Sequence, residues 1–198
     1  MGYTTILDIL GAAIIGGILL INLLRVNGGL IENESIYSHD KNLQIDLVIA
    51  ATVLERDFSL LGYVKSTDQV GFNQNIFAGD SVSITFRSDI DNNGVIDTIS
   101  YFISDTSALS NTPNPRDMIL YRKTNSDYPF VLANNVTRFR LTYLNTFLME
   151  VPPPIVLTTA VNYIRIEIRV EDPFAYDNKY SEAIWRRITV STNAINRI

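Results

Sequence analysis

The chain has 198 residues, 46% of them hydrophobic and 10% aromatic, which is enough for one packed domain with an appendage and excludes a disordered chain. Its net charge is −5 and no basic block interrupts it, so nucleic acid is not an expected partner. There is no cysteine, which excludes disulfides and thiolate metal sites without assigning a compartment, and the one histidine, His39, cannot by itself make up a nitrogen/sulfur metal site.

Ile6 to Leu24 is apolar over 19 residues apart from Asp8 and Asn22. A helix of that length covers roughly the ~30 Å hydrocarbon core of a bilayer. No Lys or Arg precedes the run, and "RVNGGL" after it offers no small-residue cleavage site, so an anchor is expected rather than a cleaved signal peptide. Arg25 is the only nearby side-chain cation and sets no orientation. Asp8 within the span costs about 3 kcal/mol unless it is paired or reaches the headgroups near the helix start. Both readings of Asp8 stay open on these grounds.

"VNGG", Val26 to Gly29, predicts a flexible break. A second helix is predicted over residues 38–61, because Leu43, Leu47, Ala50, Leu54, Phe58 and Leu61 recur at spacings of three and four. Gly62 is its expected terminator, and "ERD" (Glu55 to Asp57) its solvated face. Beyond Gly62 the period becomes two. "SVSITF" places Val82, Ile84 and Phe86 on one face. "TISYFI", "MILYRK", "VTRFRLTYL", "NYIRIEIRVE" and "WRRITVS" follow as strands, and "VPPP" from Val151 marks a loop. Clean alternation such as Ile164, Ile166, Ile168 and Val170 with Arg165, Glu167 and Arg169 fits an antiparallel sheet with one wet face. The predicted class is α+β. It would comprise a hydrophobic helix over 1–26, a linker and amphipathic helix over 27–62, and an antiparallel sheet domain over 63–198.

"DIDNNGVID", Asp89 to Asp97, lies between two predicted strands. Against an oxygen-ligand calcium loop, Asp89, Asp91 and Asn93 take positions 1, 3 and 5, and Gly94 takes the turn position. Val95 falls where a backbone carbonyl would serve and Asp97 at position 9, but Ser100 stands where a bidentate Glu belongs. The competing reading is a plain hairpin turned by Asn93-Gly94 in a type I′ turn. Three aspartates within nine residues exceed what such a turn needs, and both readings stay open.

The order of these elements resembles that of type IV pilins and type II secretion pseudopilins, above all the large minor subunits of J or W type. "VLERDFSLLGYV" (Val53 to Val64) resembles their helix end, and the acidic hairpin follows as it does there. A strand ending in Arg122 and then a Val136, Phe139, Tyr143 strand complete the likeness. The N-terminus departs from the pattern, since "MGYTTILD" would leave a leader of only Met1-Gly2 and puts Asp8 one position later than the family's glutamate. An unprocessed chain is therefore expected. The resemblance implies a filament or filament-tip subunit, partnered by like subunits, by a membrane assembly platform, and by lipid before assembly. It implies that Asp8 neutralises a neighbour's N-terminal amine, while Gly11, Ala12, Ala13, Gly16 and Gly17 permit close helix approach.

The bulk would then be extracytoplasmic. The alternative is a monomeric membrane-anchored binding domain, adhesin-like and calcium-stabilised. No nucleophile motif, paired carboxylates, phosphate loop or cofactor fingerprint suggests an enzyme.

Overall fold

The computed structural model describes residues 2–65, 76–155, 160–176 and 179–190. One helix, α1 (Gly2–Ser59), precedes eight strands: β1 (Ile76–Gly79), β2 (Ser83–Ser88), β3 (Asp97–Ile103), β4 (Met118–Thr124), β5 (Phe130–Leu144), β6 (Glu150–Val151), β7 (Tyr163–Tyr176) and β8 (Lys179–Val190). The fold is α+β, as expected. The chain divides into two compact units, Met1–Lys41 and Asn42–Ile198.

The first unit is helical. Its apolar side chains, from Ile6 through Leu24, are exposed, and none of its most apolar window is buried within the chain. A stretch so long and apolar with no protein partner of its own is a candidate membrane span. The break expected at Val26–Gly29 does not form, because α1 runs through it. Glycine costs about 1 kcal/mol in a helix but keeps its N–H, and no proline removes a hydrogen bond there.

In the second unit the end of α1 lies on the sheet through the predicted stripe. Leu43, Leu47, Ala50, Leu54 and Phe58 are buried, with Leu61 in the turn that follows. Gly62 leaves the helix at φ +74, the left-handed conformation that glycine adopts without strain, and its N–H donates to the Arg87 carbonyl. Phe58 meets Phe86 and Tyr101 at ring-centroid distances of 5.2 and 5.6 Å, tying α1 to β2 and β3.

The sheet is antiparallel in the order β1-β2-β3-β4-β5-β7-β8, with β6 added to β5. Ile84 and Phe86 point inward as predicted, but Val82 is exposed. It sits in the tight turn closed by the Asp80 N–H on the Ser83 carbonyl, before the pleat of β2 begins. Val136 and Phe139 are both buried although three apart, which simple alternation forbids. A bulge between Val136 and Arg138 shifts the parity by one residue. Tyr143 is buried and its hydroxyl donates to the Asp80 carbonyl at 2.9 Å. Gly79 makes room for it, since a Cβ there would lie 2.7 Å from the Tyr143 Oη. The predicted strand over 185–191 extends back to Lys179, and Ser191 with the rest of the C-terminal segment lies outside the described residues.

Truncating Phe58 to Ala should destabilise the second unit by about 3–5 kcal/mol. Denaturant unfolding of the full chain in detergent, followed by near-UV circular dichroism, measures it; a loss under 1 kcal/mol would contradict this packing.

Candidate functional site

The strands β2 and β3 pair from Ser88↔Asp97 inward, so residues 89–96 form the connection between them. That is far longer than a two-residue turn. Positive φ occurs at Asn92 (61°) and Gly94 (87°) but not at Asn93, so the type I′ Asn93-Gly94 turn does not exist here. The connection is instead an acidic loop folded around its own aspartates.

Asp89 is fully buried. Its Oδ1 accepts the Asn93 N–H at 2.9 Å, and its Oδ2 accepts those of Gly94 at 2.9 Å and Lys65 at 3.3 Å. Burial works to raise its pKa, but the backbone donors of Gly94, Lys65 and Asn93 outweigh burial and hold the carboxyl below its ordinary range. Asp91 accepts the Asn93 N–H and, at 2.7 Å, the Asn93 side-chain amide. Asp97 accepts the Ile90 N–H at 3.3 Å and the Asn125 amide at 2.7 Å. Ligand oxygens of Asp89, Asp91 and Asp97 all lie within 4.8 Å of one another, so this cluster can hold a metal ion.

The other expected ligand positions stand differently. The Asn93 Oδ1 accepts the Val95 N–H at 2.7 Å, and the Val95 side chain is exposed. Ser100, at the last ligand position, is three ladder pairs beyond Asp97 in β3 and shares a hydrogen bond with Thr85 on the adjacent strand. Helices do not flank the loop, which excludes an EF-hand. The loop is clamped to the segment that follows α1 by the Asp89 N–H on the Tyr63 carbonyl, the Tyr63 hydroxyl on Asn92 and the Lys65 ammonium on the Asn92 carbonyl.

Residues Asp8, Gly11, Ala12, Gly16 and Gly17 belong to the first unit, on α1. Asp8 is exposed, and a Cβ added at Gly11, Gly16 or Gly17 would meet no other atom within 4 Å, so nothing among the described residues demands glycine there.

Two buried polar clusters escape a sequence reading. "ERD" is not all solvated: Asp57 is buried, and its Oδ2 accepts the Tyr101 hydroxyl and the Arg122 Nε, each at 2.6 Å. Burial and then the Asp57 charge push the Tyr101 hydroxyl far up. Burial acts to lower the Arg122 pKa, and the Asp57 bond more than offsets it. Glu55, beside it, pairs with Arg187 of β8. The likeness quoted above contained both Asp57 and Arg122, but only the fold shows that they meet. In the second cluster, Asn114 and Arg116 both donate to Glu171. Asp117 is buried nearby with neither carboxylate oxygen hydrogen-bonded, while the Thr112 hydroxyl serves the Leu109 and Asn114 carbonyls.

Burial raises the Asp117 pKa and outweighs the opposing pull of the nearby Thr112 hydroxyl and of Arg116, while the Glu171 and Asp172 charges add to the rise. A group whose folded pKa is raised stabilises most below its unfolded value, near pH 4, and that contribution is lost as pH rises through the folded value. Asp117→Asn removes the charge and the loss. The melting midpoint of the variant minus that of the parent should therefore grow between pH 4 and pH 8, and a difference that is flat or falls with pH would contradict the assignment.

The architecture, an N-terminal apolar helix whose end packs on an antiparallel sheet, is consistent with a pilin-like fold. Comparison with protein-family models, with curated proteins and with solved structures finds no match.

Proposed function

We propose that this chain is a structural subunit of a pilin-like or pseudopilin-like filament, or of its tip or initiation complex, held in a bilayer by α1 before assembly and docked by an assembly platform. The observation that carries this reading is the exposed apolar first unit. Such a helix leaves lipid without loss only where other apolar helices cover it, and the small residues Gly11, Ala12, Gly16 and Gly17 favour close approach of such neighbours. Asp8 sets the register by pairing with a neighbour's N-terminal amine, which supplies the cation that a carboxylate in an apolar span requires. The sheet domain lies on the extracytoplasmic side.

Replacing Asp8 by Ala is expected to abolish assembly, read as loss of cross-links through residues 6–24 between chains in membranes. The variant's sheet domain should keep its unfolding midpoint. Unchanged cross-linking would remove the role given to Asp8.

Calcium is the ion we assign to the loop. An all-oxygen set of three carboxylates, from Asp89, Asp91 and Asp97, suits a hard cation, whereas the Asn93 side-chain oxygen is already taken by the Val95 N–H. The role is a structural staple on a strand connection, since the missing bidentate Glu rules out sensor affinity. At a calcium concentration 100 times Kd the folded state gains about 2.7 kcal/mol. The melting midpoint should rise with calcium, return with chelator, and respond to neither in Asp91→Ala. Identical curves with calcium and with chelator would end the assignment.

One observation favours the monomeric, anchored binding domain instead. Phe147, Leu148 and Met149 form a run of three exposed apolar residues at a hairpin tip, with Leu148 at φ +62. The Asn145 side chain fixes the tip by accepting the Phe147 and Met149 N–H groups. A strained, ordered, apolar tip is suited to contact with another molecule.

A further inference from the structure

The ladders of β5, β7 and β8 gather arginines on the face away from the core, with one pair of them directly opposed. Arg138 stands opposite Arg169, Arg140 opposite Glu167, and Thr142 opposite Arg165. On the other side of β7, Arg186 faces Glu167, while Ile184 and Ile188 face Arg169 and Arg165. The inward residues of the same strands, such as Leu141, Ile166 and Ile168, are buried. Five arginines thus share one sheet face in a chain whose net charge is −5.

Glu167 organises them. It is buried and accepts the Arg186 Nε at 2.8 Å, and it pairs with the Arg138 Nε at 3.0 Å. Burial opposes ionisation of Glu167, but the guanidiniums of Arg186, Arg138 and Arg169 hold its carboxyl below the ordinary range, so the anchor stays charged. Arg169 pairs with Glu182 at 3.1 Å, and Arg165 reaches Glu150 only at 4.0 Å. Arg140 makes no ion pair among the described residues.

A merely solvated sheet face would be expected to mix lysine with its arginines and to avoid like charges directly opposite one another. This face carries no lysine, and Ile184 and Ile188 stay 47% and 49% exposed beside the guanidiniums. Arginine with exposed aliphatic residues, and without lysine, is the composition of a protein interface.

The complement lies on the same chain. The outer side of α1 in the second unit exposes Ile45, Val48 and Ile49 around Asp46. A groove of about 150 Å³ opens there, lined by Asp46, Ile49, Val131, Leu132, Ala133 and Asn134. Acid with aliphatic residues on the helix matches arginine with aliphatic residues on the sheet.

We propose that the β5/β7/β8 face of one copy docks on the outer side of α1 of a second copy, with Arg140 entering the groove at Asp46. The two surfaces differ, so the contact is head-to-tail rather than a two-fold dimer, and within a filament it would repeat from copy to copy. It deepens the filament reading and rests on it for its setting. Arginine's planar fork suits a carboxylate at the mouth of a recess, and the contact weakens as salt rises.

Cysteine cross-linking of the full chain in membranes tests it without background, since the chain has no cysteine of its own. Copies carrying Thr142→Cys mixed with copies carrying Thr52→Cys should give a mixed disulfide. Arg140→Asp in the first copy should reduce its yield at least five-fold, and Asp46→Arg in the second should restore it. Arg140→Gln serves if the reversal impairs folding, as read from the melting midpoint. No mixed disulfide, or a yield indifferent to the Arg140 substitutions, overturns the proposal. Cross-links through residues 6–24, scored in the same membranes, separate the two readings. Their loss alone removes the helix-mediated filament, while loss of the 142–52 disulfide alone removes this contact.

Discussion

The buried carboxylate of Asp57 is the constraint on which the second unit depends. A charge at that depth is tolerated only when it is paired and hydrogen-bonded, and removing one partner of such a group typically costs 3–5 kcal/mol. Asp57 has two, the Tyr101 hydroxyl from β3 and the Arg122 guanidinium from β4, both at 2.6 Å. The apolar stripe of α1 supplies most of the burial, but a stripe slides easily. A single carboxylate with two directed donors does not, and it sets where along β3 and β4 the helix ends.

The position of the acidic loop follows from that fixed end. Leu61 is buried, Gly62 turns, and the chain then runs beside the β2–β3 connection through backbone bonds from Gly62 to Arg87 and from Asp89 to Tyr63. Asp89 is folded in among N–H groups as a consequence. Part of the loop's negative charge is thereby satisfied by the chain itself, while Asp91 stays exposed. A loop arranged in this way is better suited to stiffening a connection than to signalling.

Arginine is used in two ways on the two sides of the sheet. Arg122 neutralises one buried acid against the core. On the outward face the relation is inverted, with one buried acid, Glu167, holding arginines that point outward. The first arrangement serves stability. The second spends its geometry on a surface, and in the proposed contact it would give specificity and salt-sensitive association more than raw affinity.

Much of this was legible from residue order, because both periodicities are local. The spacing of three and four from Leu43 to Leu61 and the alternation from Ile164 to Val170 each depend only on which residues share a face. Where local rules failed, a distant partner, a turn or a bulge had intervened. "ERD" reads as a solvated face until Tyr101 and Arg122, far along the chain, arrive at Asp57. Asn93-Gly94 reads as a tight turn until the pairing of Ser88 with Asp97 leaves eight residues to connect. Val82 obeys the alternation but falls in a turn, and Val136 with Phe139 breaks it through a bulge. The sequence by itself thus determined the class, the apolar helix, the core faces and the acidic loop, since each is a short-range pattern of hydration preference. Only the tertiary structure decided the Asp57 triad, the unsatisfied Asp117 and the arginine face, because strand register brings together charges that sequence distance keeps apart.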